Sequence, residues 1–570
     1  MKKISIQTNL LFSLILLASL LLTAPGKASQ PLPPDSCSGV SEIPGSECQA
    51  LVSLFNNTNG SSWTDHTGWL STTTPCSWYG VGCTGGHVNN LTLNGNNLSG
   101  TIPALLSNLT EAVFIQLDEN QLNGPIPTEI GSMTNLQELY LNGNQLSGGI
   151  PVSLSSLSNL RRMNLGSNQL INSIPSQFGK LSNLEWLNLD NNQLTGEVPT
   201  ELSNLTNLNT LILPNNRLSG ELPTSLGNLA LLQYLDLGNN QFTGDIPIFL
   251  TTLNNLQFLS LSTNQFTGTI PTDISKLTNL EVLNLSLNQL TGTAPKELGS
   301  LTKLQELSLN SNQLIGTIPS EIWSLTNLQW LNLGTNQLTG SIPPLIGSLT
   351  NLEWANLEGN TLNGTLPVEL GSLTKLKFLN IAKNQLNGSI PSWIGNLTDL
   401  EGLDISNNAF AGDVPPEIKL LTNLGTQNTQ FDYNALYASD PTVADFLTSK
   451  DPGWDNSQMI APAGLLGTAY GQGVQLAWTP IAYFWDSGYY EISASTSLSG
   501  TWMVKGVTSD KSTASDWVSG LNPNTTYYFR LRTFTPKHDV QQNDLWSDYV
   551  YSNGVNTFRR LFITIILKQP

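Results

Sequence analysis

The sequence predicts an α/β solenoid, a curved parallel β-sheet with short helical turns, followed by an all-β sandwich. Three observations predict it. Prolines stand at 103, 127, 151 and so on to 415, one every 24 residues. An asparagine lies seven residues before each of them, from Asn96 to Asn408. Residues 459–557 lose that period, and GVQLAWTP, YYEISAS and YYFRLRTF alternate apolar with polar residues, the two-residue rhythm of half-buried strands.

The chain has 570 residues, more than one ordinary domain holds. Residues 1–28 read as a secretory signal: Lys2 and Lys3, an apolar run from Leu10 to Leu22, then small residues around Gly26 and Ala28. An uncleaved anchor is the alternative. No later run reaches the roughly 20 apolar residues a membrane helix needs. The tail 558–570, ending LFITIILKQP, could be a strand, a free tail or a truncated anchor. An exported protein or one at the cell surface is expected.

All four cysteines fall in the segment 29–87: Cys37, Cys48, Cys76 and Cys83. An even, clustered set in an exported chain suggests two disulfides. Pairing by proximity gives Cys37–Cys48 and Cys76–Cys83. The spacings do not match metal knuckles.

Residues 88–424 carry fourteen repeats of 24. In LTNLQWLNLGTNQLTGSIP, Leu328, Leu331 and Leu333 alternate with polar positions, so each coil is expected to add one short strand with leucines inward. No coil could bury them alone. The recurring asparagine, here Asn336, follows the strand where the chain turns and can satisfy backbone groups that no ladder reaches. Glycine stands three residues before each proline except at Asn172, which predicts a left-handed backbone there. The segments after proline are expected to form brief helical turns on the convex side.

This pattern, L-x-x-L-x-L-x-x-N at a period of 24, is the leucine-rich-repeat signature. The LxGxIP endings resemble the plant-type subclass, found in receptor-kinase ectodomains and polygalacturonase-inhibiting proteins. The segment LVSLFNNTNGSSW…GWL…CSWYGVGC resembles that family's N-terminal cap, which implies a helix around Leu51, Leu54 and Phe55 and a disulfide pair closing the core. At the far end the asparagine register reaches Asp432, where the repeat is expected to dissolve into a cap over 425–450. There Ser439 or Asp440 would start a helix bearing Val443, Phe446 and Leu447. Residues 451–458 read as a linker. Residues 459–557 resemble a fibronectin type III module, with Trp478 at the core strand-B position and Tyr527 as the corner tyrosine. The insertion KHDVQQND departs from that family's short loop.

Counting back from each asparagine, positions −6, −4, −2 and −1 face the concave surface. Half of the −6 column is aromatic. Adjacent strands lie about 4.8 Å apart, so Trp330, Trp354 and Phe378 are expected to form a continuous ladder, with Asn332, Asn356 and Asn380 beside them. Tyr234 and Phe258 form a second candidate. Exposed rings give large contact area at low entropic cost, and amides beside them can read peptide backbone or sugar hydroxyls. The competing role is padding of the sheet by cross-strand pairs, favoured for the more isolated Phe114, Tyr140 and Trp186. Glu138 and Arg162 are expected to make an exposed ion pair of little energetic weight.

Catalytic patterns are missing: the histidines 66, 87 and 538 sit in no HExxH, and there is no G-x-S-x-G and no P-loop. Two carboxylates could serve a glycosidase, but a flat ladder offers no pocket to raise one of their pKa values. The expectation is no enzyme and no cofactor or metal. A net charge of −18 argues against nucleic acid or an anionic membrane as partner. The N-x-S/T sequons are what the repeat itself generates, and no glycosylation is read from them. Three functions stay open: recognition or adhesion through the concave face, with an extended extracellular protein, peptide or polysaccharide as partner; inhibition of a secreted polysaccharide-degrading enzyme, as the inhibitor family implies; or a structural spacer at the cell surface.

Overall fold

The computed structural model describes residues 37–484, 486–538 and 543–558. The signal segment and the apolar run in LFITIILKQP lie outside the described residues.

Each coil contributes a three-residue strand, and identical repeat length forces residue i to pair with i + 24. Trp330–Asn332 lies parallel to Trp354–Asn356, with Trp330 opposite Trp354 and Asn332 opposite Asn356. Among the described residues this sheet has sixteen strands, running in chain order from the hairpin Val81–Thr84/His87–Thr92 to Thr429–Gln430. Leu328, Leu331 and Leu333 are buried, like their counterparts in every coil. Each such leucine contributes about 2 kcal/mol through apolar burial, and only stacked neighbours make that burial possible.

The asparagine column ties one coil to the next. Asn336 Nδ2 donates to the carbonyls of Leu333 (3.2 Å) and, one coil earlier, Leu309 (3.0 Å). Its Oδ1 accepts the N–H of Leu314 at 3.0 Å. A second column, not foreseen, lies before the strand: Asn327 donates to Thr302 O and Asn351 to Thr326 O, at 2.8 and 2.9 Å. The segments after the prolines are single 3-10 turns, such as Ser320–Ser324.

The glycines before the prolines have positive φ, and Asn172 takes their place at φ 68°. This backbone supports a second parallel ladder on the flank of the coils, also not foreseen. It runs over seven strands from Ser99–Thr101 to Gln241–Phe242 and six more from Ile315–Thr317 to Ala435–Tyr437. Between the two runs only the bridges Asp245–Thr267 and Thr293–Ile315 remain among the described residues.

Both ends are covered. The helix Gly45–Asn57 buries Leu51, Val52 and Leu54. Disulfides join Cys37 to Cys48 and Cys76 to Cys83. Buried Glu47 accepts the Val88 N–H (2.8 Å) and meets His87 Nδ1 (2.6 Å), fastening the helix to the first long strand.

At the other end the structure corrects the sequence reading twice. The repeat does not dissolve at Asp432: Asn434, two residues out of register, makes the ladder bonds to Ile405 O (3.0 Å), Phe431 O (3.2 Å) and Phe410 N (3.1 Å). Residues 451–458 are not a free linker. Trp454 is buried in the solenoid core, and buried Gln458 closes the column in place of an asparagine, accepting Leu436 N–H and donating to Phe431 O. Gln458 follows Asn434 by the regular 24 residues and makes the same two bonds across the coils. Asp440 caps the helix Pro441–Lys450, which buries Val443 and Leu447.

Beyond it lie two antiparallel sheets. One orders Ala463–Tyr470, Gly473–Thr479 and Ser515–Val518, and the other centres on Tyr489–Ser495 and Thr526–Thr535. They share a core with Trp478, Tyr490 and Phe529. Tyr527 Oη accepts the Asn522 N–H at 3.2 Å. The KHDVQQND insertion reaches the solenoid: Asn543 Nδ2 donates to Asn384 O at 2.6 Å, and His538 packs on Tyr433.

Candidate functional site

Along the −6 column the rings are half-buried and backed by the leucine core. Trp330 and Trp354 stack with centroids 3.8 Å apart and planes 4° from parallel. This spacing is shorter than the strand spacing, so the indoles lean together. The expected continuation to Phe378 fails. Phe378 pairs with Trp354 through the backbone, but no ring contact joins them. Its ring lies over the next strand, where a Cβ on Gly402 would stand 2.7 Å from its Cδ1. With the Phe378 ring turned into the space that Gly402 leaves, a cleft of about 230 Å³ opens along Trp354, lined also by Phe378, Asn380, Asp404, Asn428 and Gln430.

The asparagines beside the rings are partly committed. Oδ1 of Asn332, Asn356 and Asn380 accepts the N–H two residues on, at 3.2, 2.9 and 3.0 Å, and so turns the chain out of the strand. Asn380 Nδ2 donates to Glu358 (2.9 Å), which also holds Lys383 (2.7 Å). Nδ2 of Asn332 and of Asn356 makes no bond among the described residues.

Tyr234 and Phe258 form a second stack, 4.1 Å apart and 7° from parallel. Phe114, Tyr140 and Trp186 are not isolated, since Tyr140 contacts both neighbours at 5.7 and 6.4 Å. The Glu138–Arg162 pair does not form. Glu138 takes the Tyr140 hydroxyl at 2.7 Å, and that hydroxyl also raises the Arg162 pKa. A phenol two residues along the same strand reaches the carboxylate without crossing to the next coil.

Several concave carboxylates are poorly hydrated. Burial pushes Asp190, Asp236, Glu306 and Asp404 above the usual carboxylate range. Burial likewise raises the Tyr234 phenol. Glu306 stands opposite Trp330 in the sheet. No group of side chains fit to hold a metal ion occurs among the described residues. No helix among them is long and apolar enough to cross a membrane. The sequence signal that could have located the cleft is Gly402, the glycine of the −6 column beside its last ring.

Family models described as "Leucine-rich repeat region" and "Leucine Rich Repeat" match this chain, the first over residues 211–317. The second matches residues 87–109, 135–157, 159–181, 183–205, 327–349 and 375–397. Among solved structures, a TDR receptor is 35% identical with a TM-score of 0.58, over 61% of this chain and 60% of its own. The chain therefore spans less than two thirds of that receptor. The ectodomain of the Arabidopsis receptor kinase HAESA, solved with a peptide hormone ligand, is 30% identical with a TM-score of 0.58, over 71% of this chain and 76% of that one. A repeat protein of Leptospira interrogans is 37% identical with a TM-score of 0.51, over 60% of this chain and 84% of that one. A comparison with curated proteins finds no match.

Proposed function

The chain belongs to the leucine-rich-repeat family, and from that premise we propose that it recognises an extended extracellular ligand on its concave face, around Trp330, Trp354 and Phe378. The observation that carries this reading is the Trp330–Trp354 stack with the cleft beside it. Trp354 lines the cleft rather than stacking on a third ring. Aromatic surface next to unfilled volume, with free amide donors on Asn332 and Asn356, suits a ligand laid along the strands. Peptide is the favoured class, in line with the peptide-bound HAESA structure. Tyr234 and Phe258 offer a second contact three to five coils from the Trp330–Trp354 stack, which an extended ligand could span.

The proposal includes a secreted or cell-surface location, supported by the two disulfides and by the receptor ectodomains among the similar structures. We read the C-terminal sheets as a fibronectin type III-like sandwich, on the strength of Trp478 in their shared core and the Tyr527–Asn522 bond.

The test is a paired capture. The chain and its Trp330→Ala/Trp354→Ala/Phe378→Ala form, both checked for cooperative melting, are exposed to extracellular extract. A protein or peptide held only by the unmutated form supports the site. Equal capture by both forms removes the concave rings from the function.

A further inference from the structure

We propose that the cleft beside Trp354 is a subsite for the guanidinium of one arginine side chain, carried by an extended peptide. This rests on the concave face being the ligand surface and names the chemistry it selects.

At about 230 Å³ the cleft is smaller than the ~300–1,000 Å³ of a small-molecule pocket, so it holds one side chain rather than a whole ligand. Its walls are aromatic: the Trp354 indole on one side and the displaced Phe378 ring on another. Asp404 is the charged residue of its lining, and no basic side chain lines it. Asp404 Oδ1 is occupied by the N–H and Oγ of Ser406, at 3.0 and 2.7 Å. Its Oδ2 makes no bond among the described residues. Lys383, one coil earlier, is already paired with Glu358 at 2.7 Å. The remaining polar lining comes from Asn380, already bonded to Ala382 and Glu358, and from side-chain amides at Gln427, Asn428 and Gln430, whose carbonyl oxygens can accept N–H donors.

An aromatic face, a partly desolvated carboxylate and amide oxygens select a planar cation. A guanidinium stacks on indole and donates in its own plane to the carboxylate. An ammonium is also drawn to an indole face, but it lacks the planar fork that lies flat on the ring and donates bidentately to the carboxylate at once. A ligand carboxylate would meet Asp404 without a cation to offset it, so an anionic group is refused.

Gly402 gates the site, because any Cβ there meets both Phe378 Cδ1 (2.7 Å) and Asn428 Cβ (2.9 Å). Gly402→Ala therefore shifts the cleft's wall without touching Trp354 or Asp404.

The experiment titrates the full chain with acetyl-Gly-Arg-Gly-amide, its citrulline and lysine counterparts, and cellohexaose, by calorimetry and saturation-transfer NMR. The arginine peptide is expected to bind about tenfold tighter than the citrulline one, which has the same shape and no charge. Asp404→Asn, which preserves the Ser406 acceptor, should equalise the two. Gly402→Ala should weaken arginine binding by a similar factor while the protein's melting stays cooperative. The proposal is overturned if citrulline matches arginine on the unmutated chain, if the preference survives Asp404→Asn, if cellohexaose alone binds, or if no probe binds at its solubility limit. The wider reading fails separately. If the triple aromatic variant loses its captured partner while Asp404→Asn keeps it, the concave surface stands and the arginine subsite falls. If the triple variant keeps its partner, the surface itself falls.

Discussion

Trp330 and Trp354, 24 residues apart in sequence, lie face to face at 3.8 Å. The contact pairs two large rings that each also bury apolar surface. We predict that Trp354→Ala costs about 1–3 kcal/mol from lost ring pairing and apolar burial. A double-mutant cycle of Trp330→Ala and Trp354→Ala on denaturant melts should give a coupling of about 0.5–1.5 kcal/mol. Strictly additive losses would mean that the stack contributes nothing beyond the burial of each ring.

Asn336→Ala should destabilise the solenoid by about 2–4 kcal/mol. It removes the acceptor of the Leu314 N–H and the donor to the Leu309 and Leu333 carbonyls, all buried away from water. Replacing exposed Thr335, next in sequence, by Ser should change stability by less than about 0.5 kcal/mol. Denaturant melts of the two variants check the contrast.

Asp451 links stability to pH. Burial, with smaller contributions from Asp432 and Asp404, pushes its pKa up to about 6. The unfolded chain ionises this carboxyl near pH 4, while the folded chain holds the proton until about 6. Between those values the unfolded state binds fewer protons, so stability falls as pH rises from about 4 to about 6 and is level above. Asp451→Asn should remove on the order of 1–2 kcal/mol of that slope. Its amide oxygen can still accept the Phe431 N–H that Asp451 Oδ2 accepts at 2.8 Å. Melts at pH 5 and pH 7 of the two proteins measure it.

Lys511 is fully buried in the C-terminal unit. It contacts Asp486 Oδ2 at 2.6 Å, Thr535 Oγ1 at 3.0 Å and the face of the Tyr483 ring at 4.5 Å. Asp486→Ala would leave that ammonium buried without its counter-charge and should cost about 3–5 kcal/mol. Lys511→Met/Asp486→Leu should cost much less, because apolar side chains of similar volume replace a desolvated pair without leaving a charge behind. A double-mutant cycle on thermal melts separates the two effects.

Much of the fold was legible because the repeat is rigid in length. A constant step of 24 allows one register, so knowing Asn96 and Pro103 places every concave residue up to Asn408. Tyr234 and Phe258 were legible as a pair for the same reason. Asn434 and Gln458 were not, because two inserted residues break the count and only the hydrogen-bond partners in space identify the successors. The second ladder on the flank also escaped, since its strands are only two to five residues long, most with a single buried apolar residue.

The sequence by itself determined the period, the inward leucines, the asparagine column and which side chains share the concave face. These follow from repetition, where each coil is its neighbour's template. Only the tertiary structure decided which way the Phe378 ring turns, where the cleft opens, and that Asp486 meets Lys511. The physical reason is the same in each case. A ring's rotamer and a buried ion's partner depend on residues tens of positions away, as Phe378 turns toward Gly402 and Asp486 meets Lys511. The missing Cβ at Gly402 is visible in the sequence, but which ring turns into its place is settled by packing.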